Sequence, residues 1–191
     1  MTVHTLPGMD GTVRRAFTVA EFERMGELGI IGEDENVELI EGEIIPMASK
    51  NHVHERVKSA LNLAIARQLP DELWLGIETS LRVEEMSLIE PDLSIYPRPL
   101  RLEAVRGPDV SLAIEVSDTS FRFDKGRKAR LYARIGVQEL WVVEANERTT
   151  FVHTGATANG WTSIVEVSRT GLLMPSALGL RSVSVCLADW D

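Results

Sequence analysis

One cysteine, Cys186, stands in 191 residues, so no disulfide can form within the chain and the stapled secreted scaffolds are excluded. Its setting in VSVCLADW reads as a small buried hydrophobe kept in a reducing compartment. No apolar run approaches the roughly 20 residues of a membrane span, and the opening MTVHTLPGMDGTVRRAF has no hydrophobic signal core, so a cytoplasmic location is expected. Basic residues are in deficit, 20 against 29 acidic for a net charge of −9, which at first argues against a nucleic-acid partner. Repeats and low-complexity linkers are missing as well, so nothing splits the chain.

The residues present suit an ordinary globular domain, 44% hydrophobic and 26% charged, long enough to hide about 70% of its extended surface without a staple. The charge deficit is uneven. Residues 122–134, RFDKGRKARLYAR, hold six basic side chains (Arg122, Lys125, Arg127, Lys128, Arg130, Arg134) against the single acid Asp124. Such a run reads either as a solvated helix face or as a stripe that contacts phosphates.

Periodicity orders the elements. TVAEFERMGELG opens on the capping box Thr18 and Glu21 and stops at Gly29, which predicts a short helix. VELIEGEII predicts a hairpin turning at Glu41 and Gly42 and closed by Pro46. From Asn51, Val53, Val57, Leu61, Ala64, Ile65 and Leu69 recur at helical spacing until Pro70, predicting a long amphipathic helix. Three strands follow, ELWLGIETSLRVEE, EPDLSIYP and DVSLAIEVS, then a helix capped near Asp124 that runs to Gly136, then the strand ELWVVEA. TTFVHT and WTSIVEV add strands behind. The expectation is an α/β fold, a mixed central β-sheet flanked by helices, as one domain over residues 17–191 behind a mobile, non-periodic segment 1–16.

Two of those strands carry an acid where a core residue is expected. By parity, Glu115 shares a face with Ser111 and Ala113, while Leu112, Ile114 and Val116 line the other; Asp92 shares a face with Ser94 and Tyr96. Read singly, Asp92 caps a turn after Pro91 and Glu115 pairs with an arginine. Read together, two close carboxylates repel, and a cation resolves the conflict. Hard oxygen donors with no histidine or cysteine nearby suit Mg²⁺ or Mn²⁺. On that reading, removing either acid relieves repulsion and stabilises the metal-free protein. In the second helix, Lys128 and Asp124 fall four and eight residues before Tyr132 on the apolar stripe of Leu131, Tyr132 and Ile135. Lys128 therefore points inward toward a carboxylate partner, or snorkels past Tyr132 to water.

Helix, three strands, helix, strand, with Pro91–Asp92 on the second strand and Glu115 on the third, resembles the PD-(D/E)XK nuclease superfamily. More narrowly, VELIEGEII, HERVKSAL, EPDLSIYP, IEVSDTSFRFDKGRKARLYARIGVQELWVVE and LMPSALGLR resemble the Uma-two family of restriction endonucleases, from about Phe17 to the carboxyl terminus. The resemblance implies a DNA endonuclease with a catalytic Mg²⁺ (or Mn²⁺) on Asp92 and Glu115. The superfamily lysine expected two residues after the glutamate is replaced by Ser117, which implies that Lys128 has taken over its role. Asp124 matches a family acid that caps the helix or orients the lysine. Glu43 matches another, a further metal ligand or substrate-side group, and His54 matches a family histidine, read here as making a helix-start hydrogen bond. Arg122, Arg127 and Arg130 would hold flanking DNA phosphates. Cutting both strands of a duplex needs two sites, so a homodimer is expected. A binding domain without catalysis and a metal-dependent phosphoesterase for small substrates are the alternatives.

Overall fold

A computed structural model describes residues 3–8 and 11–190. In chain order it contains strands β1 (His4–Pro7) and β2 (Val13–Ala16), helix α1 (Val19–Glu27), strands β3 (Val37–Ile40) and β4 (Glu43–Pro46), and helix α2 (His52–Ala66). Next come β5 (Leu73–Ile77), β6 (Leu81–Glu84), β7 (Ser87–Ile89), β8 (Leu93–Pro97) and β9 (Leu112–Ser117). A helical segment, α3, spans residues 121–134, and β10 (Glu139–Glu144), β11 (Thr149–Thr157), β12 (Gly160–Val167), β13 (Leu172–Leu173) and β14 (Val185–Cys186) complete the chain. By its contacts the chain groups into two compact units, 1–47 with 80–90, and 48–79 with 91–191.

In the first unit, β1 and β2 pair antiparallel, so residues within the opening segment expected to lack order carry a hairpin. The α1 capping box forms as spelled out: the Glu21 amide donates to Thr18 Oγ1 at 3.2 Å and the Thr18 amide to Glu21 Oε2 at 3.0 Å. Gly29, at φ +67°, follows the helix end where left-handed backbone is needed. The β3–β4 turn places Glu41 and Gly42 at φ +53° and +83°, the two-residue turn that matches strand twist. A Cβ on Gly42 would lie 2.6 Å from that of Ala16, so glycine is required twice over there. These strands extend into a four-stranded sheet ordered β4-β3-β7-β6.

The second unit is built on a six-stranded mixed sheet ordered β12-β11-β10-β9-β8-β5, in which β9 and β10 run parallel. One face of β8 and β9 buries Leu93, Ile95, Leu112, Ile114 and Val116 in a core with Val57, Leu61 and Ile65 of α2. That is the aliphatic face that parity predicts. Helix α2 starts where expected: Asn51 Oδ1 accepts from the amides of Val53 and His54, each at 3.0 Å.

Three features differ from expectation. The stretch 72–85 is not one strand, because Glu78 turns to φ +48° after β5 and β6 joins the other sheet; Gly76 and Ser80, two residues to either side of Glu78, are the local turn formers that mark the break. The helix expected to be capped by Asp124 begins earlier, at Phe121. Asp124 lies inside it, where Asp124–Lys128 form one wider, π-helical turn before Ala129–Arg134 returns to α geometry. Cys186 is half-buried rather than fully buried, its thiol 3.6 Å from the Arg169 carbonyl. Among the described residues, no helix is long and apolar enough to cross a membrane.

Candidate active site

Strands β8 and β9 are antiparallel with Leu93 opposite Ile114 and Ser94 opposite Ala113. Continuing that register by one residue sets Asp92 opposite Glu115, and opposed residues on antiparallel strands share a face. The two acids are 5% and 4% exposed. Each already has partners that compensate its charge. Glu115 Oε1 lies 3.0 Å from Lys128 Nζ and accepts a short hydrogen bond from the Tyr132 hydroxyl. Asp92 Oδ2 accepts from the Val116 amide at 2.8 Å and meets His54 Nε2 at 3.2 Å.

Lys128 is 3% exposed, so its ammonium is turned inward and does not snorkel. Spacing alone finds this lysine and Tyr132 together, since residues i and i+4 share a helix face. The pairing overturns one expectation. With Lys128 committed to Glu115, loss of the carboxylate does not relieve repulsion but strands a buried ammonium, which destabilises.

His54 also departs from expectation. Its backbone amide makes the helix-start bond, while its imidazole bridges Asp92 and Glu55, the latter at 3.2 Å from Nδ1. Burial alone would lower its pKa, but the hydrogen bonds and charges of Asp92 and Glu55 outweigh it and raise the pKa above the ordinary histidine value. Asp124, buried, is no cap: its Oδ2 accepts from Ser120 Oγ at 2.5 Å and from Ser117 Oγ at 2.8 Å. Ser117 is thus tied to α3 through Asp124. Glu43 belongs to the first unit and pairs with Arg14 at 3.4 Å.

The basic stripe divides on folding. Arg122 and Arg130 are exposed and Arg127 is half-buried, whereas Lys125 Nζ sits 3.2 Å from the centre of the Phe151 ring, a cation–π contact.

The family described as "Putative restriction endonuclease", Uma2, matches residues 19–186, from the start of α1 to the end of β14. The chain belongs to the Uma2 family. It also resembles a solved structure, "Crystal structure of a putative nuclease belonging to DUF820 from Anabaena variabilis ATCC 29413", with 16% identity and a TM-score of 0.67 over 91% of this chain and 97% of that one. At that identity the likeness establishes the fold, a large mixed sheet flanked by helices. No curated protein matches the chain.

In this Uma2 chain Asp92 and Glu115 offer the hard oxygen donors that a divalent cation such as Mg²⁺ takes, although His54 Nε2, 3.2 Å from Asp92 Oδ2, overturns the expectation that no histidine stands near them. No cluster of three or more histidine, cysteine, aspartate or glutamate side chains suited to a metal occurs among the described residues, so protein ligation would rest on Asp92 and Glu115.

Sequence reasoning overlooked a set of ions beside Asp92. Glu78 Oε1 accepts from Lys50 at 2.6 Å and, by a shorter contact, from Lys58, which also donates to Glu55 at 2.8 Å. Lys58 on α2 is legible from its i−3 partner Glu55, but Glu78, between Gly76 and Ser80, reads as mid-strand from its apolar and β-branched neighbours. Hydrogen bonds from Lys50 and Lys58 hold the Glu78 carboxyl down to about 2 from its ordinary 4.5. A depressed acid contributes stability that is present above its unfolded pKa and lost as pH falls through the folded one. Between about pH 4.5 and about 2, the Glu78→Gln variant should therefore lose less unfolding free energy than the parent. Urea unfolding across that window checks this, and equal pH slopes would contradict it.

Proposed function

We propose that the chain is a metal-dependent endonuclease that hydrolyses phosphodiester bonds in DNA, using Mg²⁺ or Mn²⁺. The observation that carries this reading is the pair of buried carboxylates, Asp92 just before β8 and Glu115 on the neighbouring β9, with Lys128 against Glu115. Family membership and fold support nuclease chemistry. A divalent cation held by Asp92 and Glu115 would supply Lewis acidity toward a phosphate oxygen and toward water.

The side chains of the chain have separable jobs in this reading. Asp92 and Glu115 hold the cation. Tyr132 and Lys128 converge on Glu115 Oε1 and fix that carboxylate's orientation; the Lys128 ammonium also stabilises negative charge growing on the phosphate in the transition state. His54 and the Val116 amide fix Asp92 from the other side. Asp124, through Ser117 and Ser120, fastens the wide turn that delivers Lys128. A cut through both strands requires two such centres, so the working form on duplex DNA is a homodimer, and the lone Cys186 suits the reducing cytoplasm. The test is incubation of plasmid DNA with the protein and Mg²⁺ or Mn²⁺, with chelator as control. Nicking or linearisation that chelator stops is expected; intact DNA under every metal condition would contradict the reading.

The exposed part of the stripe gives a prediction of its own. Arg122 and Arg130 lie on the surface and Arg127 partly so, and each is assigned a DNA phosphate. Arg127→Ala and Arg130→Ala should each flatten the slope of log affinity against log salt by roughly 0.9. Unchanged slopes in both variants would return the stripe to an ordinary solvated face.

A further inference from the structure

Lys50 precedes the α2 cap residue Asn51 and is 19% exposed along its side chain. Its ammonium is hydrogen-bonded to Glu78 Oε1 at 2.6 Å and stands 3.9 Å from Asp92 Oδ1. The second distance exceeds a hydrogen bond, so of three N–H donors one is used among the described residues. The other Asp92 oxygen is taken by Val116 and His54. Lys50 therefore sits on the Oδ1 side of Asp92 with donors to spare.

Glu78 is what keeps it there. Its backbone adopts φ +48°, a left-handed conformation that is costly for a non-glycine residue and in native proteins concentrates at functional sites. Its amide donates to the Asp92 carbonyl at 3.1 Å, while its carboxylate gathers both Lys50 and Lys58. Backbone and side chain of one strained residue thus tie Lys50 to the position of Asp92. A glycine would relieve the backbone but hold neither lysine.

We propose that Lys50 binds the substrate phosphate beside Asp92, offering its unused N–H donors to the non-esterified phosphate oxygens, and that Glu78 is the residue that positions it. The inference rests on the nuclease reading of Asp92 and Glu115 and adds a second cation, on the Asp92 side, to Lys128 on the Glu115 side.

The experiment measures two things on the full-length chain with a short DNA duplex: the salt dependence of affinity in chelator, and single-turnover cleavage with Mn²⁺. Lys50→Ala should flatten the salt slope by roughly 0.9, one phosphate contact, and cut the cleavage rate at sub-saturating DNA about ten-fold or more, while Lys50→Arg retains most of both. Glu78→Gln should separate the two readouts: affinity in chelator equal to or above the parent's, because a negative charge is gone, with a rate at saturating DNA about ten-fold lower, because the ammonium is misplaced. A purely structural Glu78 would not produce that split. Parent-like slope and rate in Lys50→Ala, or a Glu78→Gln variant that keeps the parent rate, overturns the inference while a cleaving parent leaves the nuclease reading standing. A parent that binds with a Lys50-dependent slope but never cleaves contradicts the nuclease reading and leaves the phosphate site intact. A parent that neither binds nor cleaves overturns both.

Discussion

Asp92→Asn should leave the protein folded and abolish its metal-dependent DNA cleavage, lowering the single-turnover rate by about 10³-fold or more, the scale of losing a charge-stabilising centre in a water-excluded site. The amide retains an oxygen for the Val116 N–H, which Asp92 now serves at 2.8 Å, so the urea midpoint should move little. Glu115→Gln should be equally inactive but less stable, because Lys128, 3% exposed, loses the charge that compensates it; breaking such a pair costs about 3–5 kcal/mol. Either variant cleaving at the parent rate would remove its carboxylate from the mechanism. The stability contrast between the two is a second readout, independent of activity, and it runs against the simple repulsion argument that two nearby acids invite.

Lys128→Ala has the other large effect. Glu115 would keep its bond from Tyr132 but lose the ammonium at 3.0 Å. Metal-free stability should fall by about 3–5 kcal/mol, or roughly 10 °C in Tm for a chain of this size, and added Mn²⁺ should restore part of that by giving the carboxylate a cation again. Single-turnover cleavage at saturating metal should fall about 10²–10³-fold, more than metal affinity does, since a group that acts on developing charge works mainly in the transition state. Differential scanning calorimetry with and without Mn²⁺, alongside the cleavage rate, checks both parts. A variant with parent stability and parent rate would show that the ammonium neither compensates Glu115 nor assists the chemistry.

Local pattern revealed much of this site. Alternation along LAIEVS placed Glu115 away from the aliphatic face, and the register of β8 on β9 now opposes it to Asp92. Helical spacing put Lys128 and Tyr132 on one stripe, and both reach the same carboxylate oxygen. The capping box at Thr18 and the turn at Glu41–Gly42 were equally plain, because their cause lies within four residues. What escaped was set by tertiary contact. His54 was assigned to its own helix start, since nothing local shows that an imidazole at the head of α2 faces a strand 38 positions later. Asp124 looked like an N-cap because a cap and a buried acceptor for Ser117 and Ser120 have the same sequence signature, an acid before a helical run. Glu78 reads as mid-strand because the apolar and β-branched pattern continues on both sides of it, outweighing the turn formers Gly76 and Ser80. Its left-handed backbone, at φ +48°, exists because Asp92, Lys50 and Lys58 hold it.

The most direct test of the account is anomalous diffraction from a crystal soaked in Mn²⁺. The account predicts a peak bound at once to a carboxylate oxygen of Asp92 and one of Glu115, at about the 2.1 Å of Mg²⁺-like oxygen ligation, and loss of that peak in Asp92→Asn. A peak elsewhere, or no ordered metal at the pair in crystals of protein that cleaves DNA, would contradict it.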